Sequence, residues 1–190
     1  MRAVGIDLDD VLADFTPVWL RVLEDHSGFK ADYNDIKAWH IEAQFPNLNR
    51  SVIMSTLEST WKEKHDEIQL SDRRIPTIID NLRQFYKVYI TTAALASDDL
   101  IINWLAMNGI KYDRLVHVKH HSGKLIEEVY VYVDDNPIMA KEFSELGKKV
   151  VLFRRPWNEN TEGNENILIA DNWDEVEQLL IDIADRRAED

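Results

Sequence analysis

The stretch Val4-Gly5-Ile6-Asp7-Leu8-Asp9-Asp10-Val11 decides the fold, because a short apolar run leads directly into three carboxylates. Side chains alternate in direction at a strand end, so Asp7 and Asp9 project to the same side while Leu8 turns back to the core. Two crowded carboxylates repel each other unless a cation lies between them or one is protonated. A cap for a helix that begins near Asp10 would explain only one of the three carboxylates. The stretch therefore predicts a buried first strand that ends at a site for Mg²⁺, a hard cation that takes oxygen ligands.

The composition narrows the class of protein. The chain has 190 residues, a formal net charge of −13 and no cysteine. This length suits one core domain with a modest insertion. The negative charge argues against nucleic-acid polymers and anionic membranes as partners, but it permits a small phosphorylated ligand held by a metal ion and a few basic groups. No membrane-spanning stretch, signal pattern or disulfide is expected, so we predict a cytoplasmic protein.

Strands and helices alternate along most of the chain. Further strands are predicted at residues 87–91, 115–118, 129–133 and 150–153, which are rich in β-branched and aromatic residues. Helices are predicted to begin near Ser97, at Asn136-Pro137 and after Asp171-Asn172. This alternation indicates an α/β fold with a parallel sheet and helices on both faces. Ligands of such sheets bind beyond the carboxyl ends of the strands.

Residues 14–72 interrupt this alternation. No strand is evident there, helical patches cover residues 16–25 and 48–58, and aromatic residues are concentrated. We interpret the region as a helical cap inserted after the first strand, placed over the acidic loop (residues 7–10). The predicted domains are a core of residues 1–13 and 73–190 and a helical cap of residues 14–72.

Two threonines, two further aspartates and a lysine lie next to predicted strands. Thr91 and Thr92 end one strand, where hydroxyl and backbone groups can donate hydrogen bonds to phosphate oxygens. Asp134 and Asp135 end another strand, and Lys124 lies in the connection before it. Each group alone is common in strands, turns or solvated loops. Together at the ends of alternating strands they are what metal-assisted phosphoryl transfer requires.

These positions resemble the motifs of the haloacid-dehalogenase superfamily of phosphohydrolases. Asp7-x-Asp9-x-Val11 is similar to its first motif, Thr91 to its second, Lys124 to its third and Asp134-Asp135 to its fourth. More narrowly, residues 7–15, the Thr91-Thr92 strand end and the Lys124 to Asp134 spacing resemble the 5′(3′)-deoxyribonucleotidase family. The segments Arg155-Pro156-Trp157-Asn158 and Asn172-Trp173 are also similar to bacterial members. Asp10 stands where a glycine is usual.

The resemblance implies a Rossmann-like core and a two-step mechanism. Asp7 would attack phosphorus and form an aspartyl-phosphate, which water then hydrolyses. Asp9 would protonate the leaving alcohol and later help to deprotonate the water.

The resemblance also implies the ligands of the metal and of the phosphate. Mg²⁺ would be held by Asp7, the backbone carbonyl of Asp9 and Asp135, with Asp134 supporting either Lys124 or the metal shell. The phosphoryl group would be held by Thr91, Thr92 and Lys124.

Substrate choice is assigned to the cap. Phe15 and Trp39 are predicted to stack on a nucleobase, whereas Trp19 and Trp61 are expected to pack in the core. The predicted substrate is a nucleoside monophosphate, and in particular a deoxyribonucleotide, in preference to sugar phosphates of similar charge.

Alternative functions remain open at this point. The same fold also serves phosphatases of small sugar or metabolite phosphates. A phospho-receiver module combines similar residues, but the long insertion and the late Asp134-Asp135 pair count against it. A catalytically idle binding domain is the third alternative, although every motif carboxylate is present. His117, His120 and His121 are predicted to line a surface loop rather than to bind zinc.

Overall fold

The computed structural model describes residues 2–186, so residue 1 and residues 187–190 of the predicted core domain lie outside the described residues. Six parallel strands form one sheet in the order β3-β2-β1-β4-β5-β6. The strands are β1 (Ala3–Ile6), β2 (Lys87–Thr92), β3 (Arg114–His117), β4 (Val129–Asp134), β5 (Lys149–Phe153) and β6 (Ile167–Ala170). The predicted α/β fold with a parallel sheet is confirmed.

The strand β1 lies at the centre of this sheet. Val4 pairs with Val88 of β2 on one side and with Val131 of β4 on the other. The neighbouring Gly5 allows the close approach, because a Cβ there would lie only 2.8 Å from the ring of Tyr132. The chain order reverses direction between β1 and β4, and ligands of such sheets bind at this reversal.

Seven α-helices and three 3₁₀ turns accompany the sheet within residues 2–186. The α-helices are α1 (Thr16–Ser27), α2 (Ile41–Gln44), α3 (Arg50–Lys64), α4 (Ile75–Leu82), α5 (Asp98–Met107), α6 (Pro137–Glu145) and α7 (Trp173–Asp185). The 3₁₀ turns are Tyr33–Asp35, His121–Lys124 and Pro156–Asn158. The predicted helix starts and the predicted N-cap at Asn136 are confirmed, since the side chains of Ser97, Asn136 and Asn172 accept hydrogen bonds from the first turns of α5, α6 and α7.

The segment between β1 and α4 contributes α1, α2 and α3 above the sheet edge. Its two ends lie side by side, because the amide of Asp14 donates to the carbonyl of Gln69 and the amide of Ser71 donates to the carbonyl of Leu12. We call residues 14–72 the cap segment. Its separation from the core as a domain stays a prediction.

Three of the strands and α-helices are absent from the sequence-based assignment, and one of them is the four-residue helix α2, Ile41–Gln44. The strand β6 is only four residues long, Ile167–Ala170, and α4 is an eight-residue helix, Ile75–Leu82, that begins with proline at its second position. Short apolar runs of this kind do not distinguish strand from helix by periodicity. None of the helices within residues 2–186 combines the length and apolar character needed to cross a membrane.

Candidate active site

The acidic loop begins where β1 ends. The amide of Asp7 donates to the carbonyl of Val133, which continues the pairing of β1 with β4 by one residue. The side chain of Leu8 is fully buried, while its carbonyl accepts the amides of Leu12 and Ala13. The loop therefore turns tightly around Leu8, whose side chain lies in the core as predicted, and Asp7 and Asp9 lie at the sheet edge.

Lys124 lies between two of the predicted carboxylates. Its Nζ is 2.8 Å from Oδ1 of Asp7 and 2.8 Å from Oδ2 of Asp134. All three side chains are buried, so the ion pairs are shielded from solvent. Burial lowers the pKa of Lys124, but Asp134 and Asp7 together raise that pKa above its ordinary value. The lysine therefore remains positively charged at the end of β1.

Asp7, Asp134 and Asp135 form the candidate metal site. One carboxylate oxygen from each residue lies within 4.8 Å of the others. Asp134 is largely committed, because its Oδ1 accepts the amide of Asn136 and its Oδ2 accepts Lys124. Asp135 keeps one oxygen available for a cation, since its Oδ1 is buried without a hydrogen-bond partner among residues 2–186. An unpartnered buried carboxylate oxygen beside a second carboxylate fits a divalent cation with oxygen ligands.

The protonation of this cluster is perturbed by burial and by mutual repulsion. Burial, and then the charge of Asp134, raise the pKa of Asp7 to about 7, although Lys124 opposes the shift. Burial, followed by the charges of Asp134 and Asp7, also raises the pKa of Asp135 well above its usual range. Without a cation, burial and mutual repulsion therefore disfavour the charged forms of Asp7 and Asp135, and a bound metal ion would relieve this repulsion.

Asp9 lies apart from that cluster and is half-buried. Its Oδ1 accepts a 3.0 Å hydrogen bond from the indole Nε1 of Trp61, which belongs to α3 of the cap segment. Burial, and then the charges of Asp7 and Asp10, raise the pKa of Asp9 well above its ordinary value. A carboxyl group whose pKa is raised in this way is suited to general acid catalysis.

Asp10 has a structural role in the acidic loop. Its backbone has a φ of 58°, a conformation that aspartate and asparagine tolerate better than most residues. Its carboxylate accepts the amide of Thr16 at 2.9 Å and the hydroxyl of Thr16 at 2.5 Å, and its carbonyl accepts Nε of Arg155 at 2.7 Å. Asp10 thus supports the first turn of α1. A cap-like role, which the sequence allowed for one of the three carboxylates, therefore applies to Asp10.

The two predicted threonines occupy different environments. Thr92 lines a cavity at the sheet edge, and its Oγ1 accepts the amide of Ala94 at 3.0 Å. Thr91 is fully buried, and its methyl group lies 3.1 Å from the position that a Cβ on Gly5 would take. The structure thus brings Thr92 together with Asp7 and Lys124, and it leaves Thr91 in the interior.

The cavity has a volume of about 390 Å³ and lies between the strand ends and the cap segment. Asp7, Asp9, Thr92, Lys124 and Asp135 contribute to its lining, together with both predicted stacking residues, Phe15 and Trp39. Phe15 is only 4% exposed and stacks on Trp61, with ring centroids 6.0 Å apart and planes at 19°. Trp39 is 37% exposed and is therefore the more accessible ring. This volume lies within the range of small-ligand sites.

Two further side chains complete the site, and sequence reasoning assigns neither of them a role. The indole Nε1 of Trp157 donates to Oδ2 of Asp135 at 2.9 Å, and Nδ2 of Asn158 donates to the carbonyl of Asp135 at 2.8 Å. Both residues belong to the turn after β5, next to β4 in the sheet. In the sequence, their position just after a predicted strand was the signal that could have placed them near the site. Trp61 packs in the core as expected, but its contact with Asp9 was not foreseen.

Solved structures define the class of fold. A haloacid dehalogenase-like family hydrolase from Streptococcus pneumoniae superimposes with a TM-score of 0.71 at 18% identity, covering 94% of this chain and 98% of that one. Protein tyrosine kinase A of Mycobacterium tuberculosis gives a TM-score of 0.70 at 15% identity, with coverages of 94% and 97%. At such identities the likeness concerns the fold alone. The fold is that of the haloacid-dehalogenase class.

Sequence comparison identifies the family. Residues 1–187 match the sequence model of the family described as 5′ nucleotidase, deoxy (pyrimidine), cytosolic type C protein, and the chain belongs to that family. The 5′(3′)-deoxyribonucleotidases of Bacillus subtilis (strain 168) and of Bacillus phage SPbeta are each 26% identical over 188 residues, which is 95% of this chain and 99% of theirs. The predicted superfamily and family are confirmed, and with them the enzyme class, a phosphoric monoester hydrolase of the 5′-nucleotidase type.

Proposed function

We propose that this protein is a magnesium-dependent phosphatase that releases phosphate from deoxyribonucleoside monophosphates through an aspartyl-phosphate on Asp7. The observation that carries the proposal is the buried group in which Lys124 contacts Asp7 and Asp134 at 2.8 Å beside the unpartnered Oδ1 of Asp135. It combines a nucleophile, a fixed positive charge and oxygen ligands for a cation at one strand edge.

In the first step, the carboxylate of Asp7 attacks phosphorus and the bond from phosphorus to the leaving oxygen breaks. Asp9 gives its proton to that oxygen, so the product leaves as a neutral alcohol. The raised pKa of Asp9 supports this role, because burial and the charges of Asp7 and Asp10 favour the protonated form of the group. Lys124 and Thr92 face the same cavity and hold the negatively charged phosphoryl group.

In the second step, water attacks the phosphorus of the aspartyl-phosphate. Asp9, ionised after the first step, takes a proton from this water, and the phosphorus–oxygen bond to Asp7 breaks. Inorganic phosphate is released, Asp7 is a carboxylate again, and Asp9 has regained its proton. Asp134 holds Lys124 in place through both steps, because its two oxygens are engaged by Lys124 and Asn136.

The carboxylates of Asp7 and Asp135 and the backbone carbonyl of Asp9 would hold Mg²⁺. When bound, Mg²⁺ neutralises negative charge on the transferring phosphoryl group. The family and the two 5′(3′)-deoxyribonucleotidases that the chain resembles support the proposed substrate class. The cavity lining includes Trp39 and Phe15, which are apolar surfaces for the base.

A phosphate-release screen tests this proposal. Deoxyribonucleoside and ribonucleoside 5′- and 3′-monophosphates and small sugar phosphates are compared in Mg²⁺ and in excess EDTA. We expect the highest kcat/KM for a deoxyribonucleotide and loss of activity in EDTA. A preference for sugar phosphates would leave only the general phosphatase function, and full activity in EDTA would remove the metal from the mechanism.

A further inference from the structure

The indole of Trp61 is held rigidly where it meets Asp9. Trp61 is fully buried on α3, its ring lies against Phe15 at 6.0 Å, and it meets Trp104 edge-on at 6.1 Å and 83°. Interiors packed in this way resist displacement of a large ring. The Nε1 hydrogen therefore has a fixed direction, towards Oδ1 of Asp9 at 3.0 Å.

An indole N–H can only donate a hydrogen bond. The oxygen that receives it, Oδ1 of Asp9, must act as the acceptor and cannot also direct a proton along that line. The carbonyl oxygen of a neutral carboxyl group is the better acceptor, so this hydrogen bond favours Oδ1 of Asp9 as the carbonyl oxygen and Oδ2 as the oxygen that carries the proton. Asp9 lines the cavity, so the oxygen not bound to Trp61 is the one available to a substrate.

We propose that Trp61 is a positioning residue for the acid: it holds the Asp9 carboxyl group so that Oδ2 carries the transferable proton and faces the leaving oxygen. This inference rests on the proposed phosphatase function, in which Asp9 is the acid. It gives the cap segment a part in the chemical step, because α3 belongs to that segment whereas Asp9 belongs to the core.

Replacement of Trp61 by phenylalanine removes the N–H but keeps an aromatic ring in the cluster. The Asp9 carboxyl group can then rotate, and either oxygen can carry the proton. The expected loss falls on reactions that need the proton. A nucleoside alkoxide is a poor leaving group without protonation, whereas 4-nitrophenolate leaves readily as an anion.

The experiment measures kcat/KM for thymidine 5′-monophosphate and for 4-nitrophenyl phosphate in the same preparation of each variant. We use kcat/KM because it reports the first transfer to Asp7 and not the later hydrolysis shared by both substrates. For Trp61→Phe we expect the ratio of the nucleotide value to the 4-nitrophenyl value to fall about tenfold or more, as for loss of a hydrogen bond to an ionisable group. Partly unfolded enzyme lowers both values equally and leaves this ratio unchanged.

Trp104→Phe is the matched control. Trp104 belongs to the same aromatic cluster and is 1% exposed, but its Nε1 donates to the carbonyl of Ile68 at 2.9 Å. We expect an unchanged ratio for this variant, and for Asp9→Asn a fall at least as large as that of Trp61→Phe.

The outcomes separate this inference from the function on which it rests. If the wild type hydrolyses both esters and Asp9→Asn lowers the ratio, an unchanged ratio in Trp61→Phe overturns the positioning role alone. An equal fall in Trp104→Phe overturns it as well, because the effect would then belong to packing. If Asp9→Asn leaves the ratio unchanged, or the wild type hydrolyses neither ester, the proposed function itself fails.

Discussion

The indole Nε1 of Trp157 donates a 2.9 Å hydrogen bond to Oδ2 of Asp135, and Oδ1 of the same carboxylate has no partner among residues 2–186. One oxygen is thus fixed by the protein and the other is left for a cation. Groups that orient a metal ligand in this way tune the affinity of the site.

Trp157→Phe should therefore weaken Mg²⁺ binding more than it weakens catalysis. We expect the Mg²⁺ concentration for half-maximal activity to rise about ten- to hundred-fold, with a smaller change in activity at saturating Mg²⁺. A titration of activity against Mg²⁺ measures this. Trp173→Phe is the control, because that indole donates to the carbonyl of Val11 and the hydroxyl of Ser71 and not to a carboxylate. An unchanged Mg²⁺ requirement in Trp157→Phe would contradict the prediction.

Asp7→Asn should abolish turnover and leave the fold intact. An amide is a poor nucleophile, so we expect kcat to fall by at least about a thousandfold. The metal-free variant should be no less stable than the wild type, since the raised pKa of Asp7, about 7, shows that its buried charge is unfavourable there. Phosphate release and thermal unfolding in EDTA measure the two effects. Activity within a few-fold of the wild type would rule out Asp7 as the nucleophile.

The stability of the metal-free protein should fall as pH rises from about 4 to about 6, in part because of Asp10. Burial raises the pKa of Asp10 from 3.8 to about 6, against the opposing hydrogen bonds from Thr16. The folded state therefore binds a proton that the unfolded state has already released, so stability is lost across this interval and not gained.

Asp10→Asn should flatten that decline. Asparagine tolerates the φ of 58° and can still hydrogen-bond both groups of Thr16, but it does not titrate. Urea unfolding at several pH values in EDTA measures the slope. Asp10→Ala is the contrasting variant, and we expect it to be about 1–2 kcal/mol less stable than Asp10→Asn at every pH, because neither variant titrates but only alanine removes the support of α1. Identical slopes for wild type and Asp10→Asn would refute the assignment.

Substitutions of Trp39 and Phe15 should affect different properties: the first should weaken nucleotide binding and the second should lower the stability of the fold. Trp39→Ala should raise KM for a deoxyribonucleotide about ten- to hundred-fold with little loss of stability, since the ring is 37% exposed in the cavity. Phe15→Ala should instead destabilise the fold by about 3–5 kcal/mol, because the ring is 4% exposed and packs on Trp61. KM for a phosphate ester without a base is the control for both. If Trp39→Ala weakens both substrates equally, Trp39 does not contact the base.

The sequence alone determined that the sheet is parallel and that carboxylates lie at one edge of it. Apolar runs that end in Asp7 and in Asp134-Asp135 predict parallel strands, because only parallel strands bring such ends to one side. The caps at Ser97 and Asn136 were equally local, since a cap acts on the amides that directly follow it. These features depend on neighbours in the chain, so they can be read from it.

The tertiary structure alone decided which distant donors meet those carboxylates. Trp61 lies 52 residues from Asp9, and Trp157 lies 22 residues from Asp135, so neither contact follows from local pattern. The structure also distinguished the roles of Thr92 and Thr91. Successive side chains of β2 point to opposite faces of the sheet, so Thr92 lines the cavity and Thr91 packs beside Gly5 in the interior. Which oxygen of a carboxylate is bound and which stays free depends on packing between segments, and therefore only the folded chain defines it.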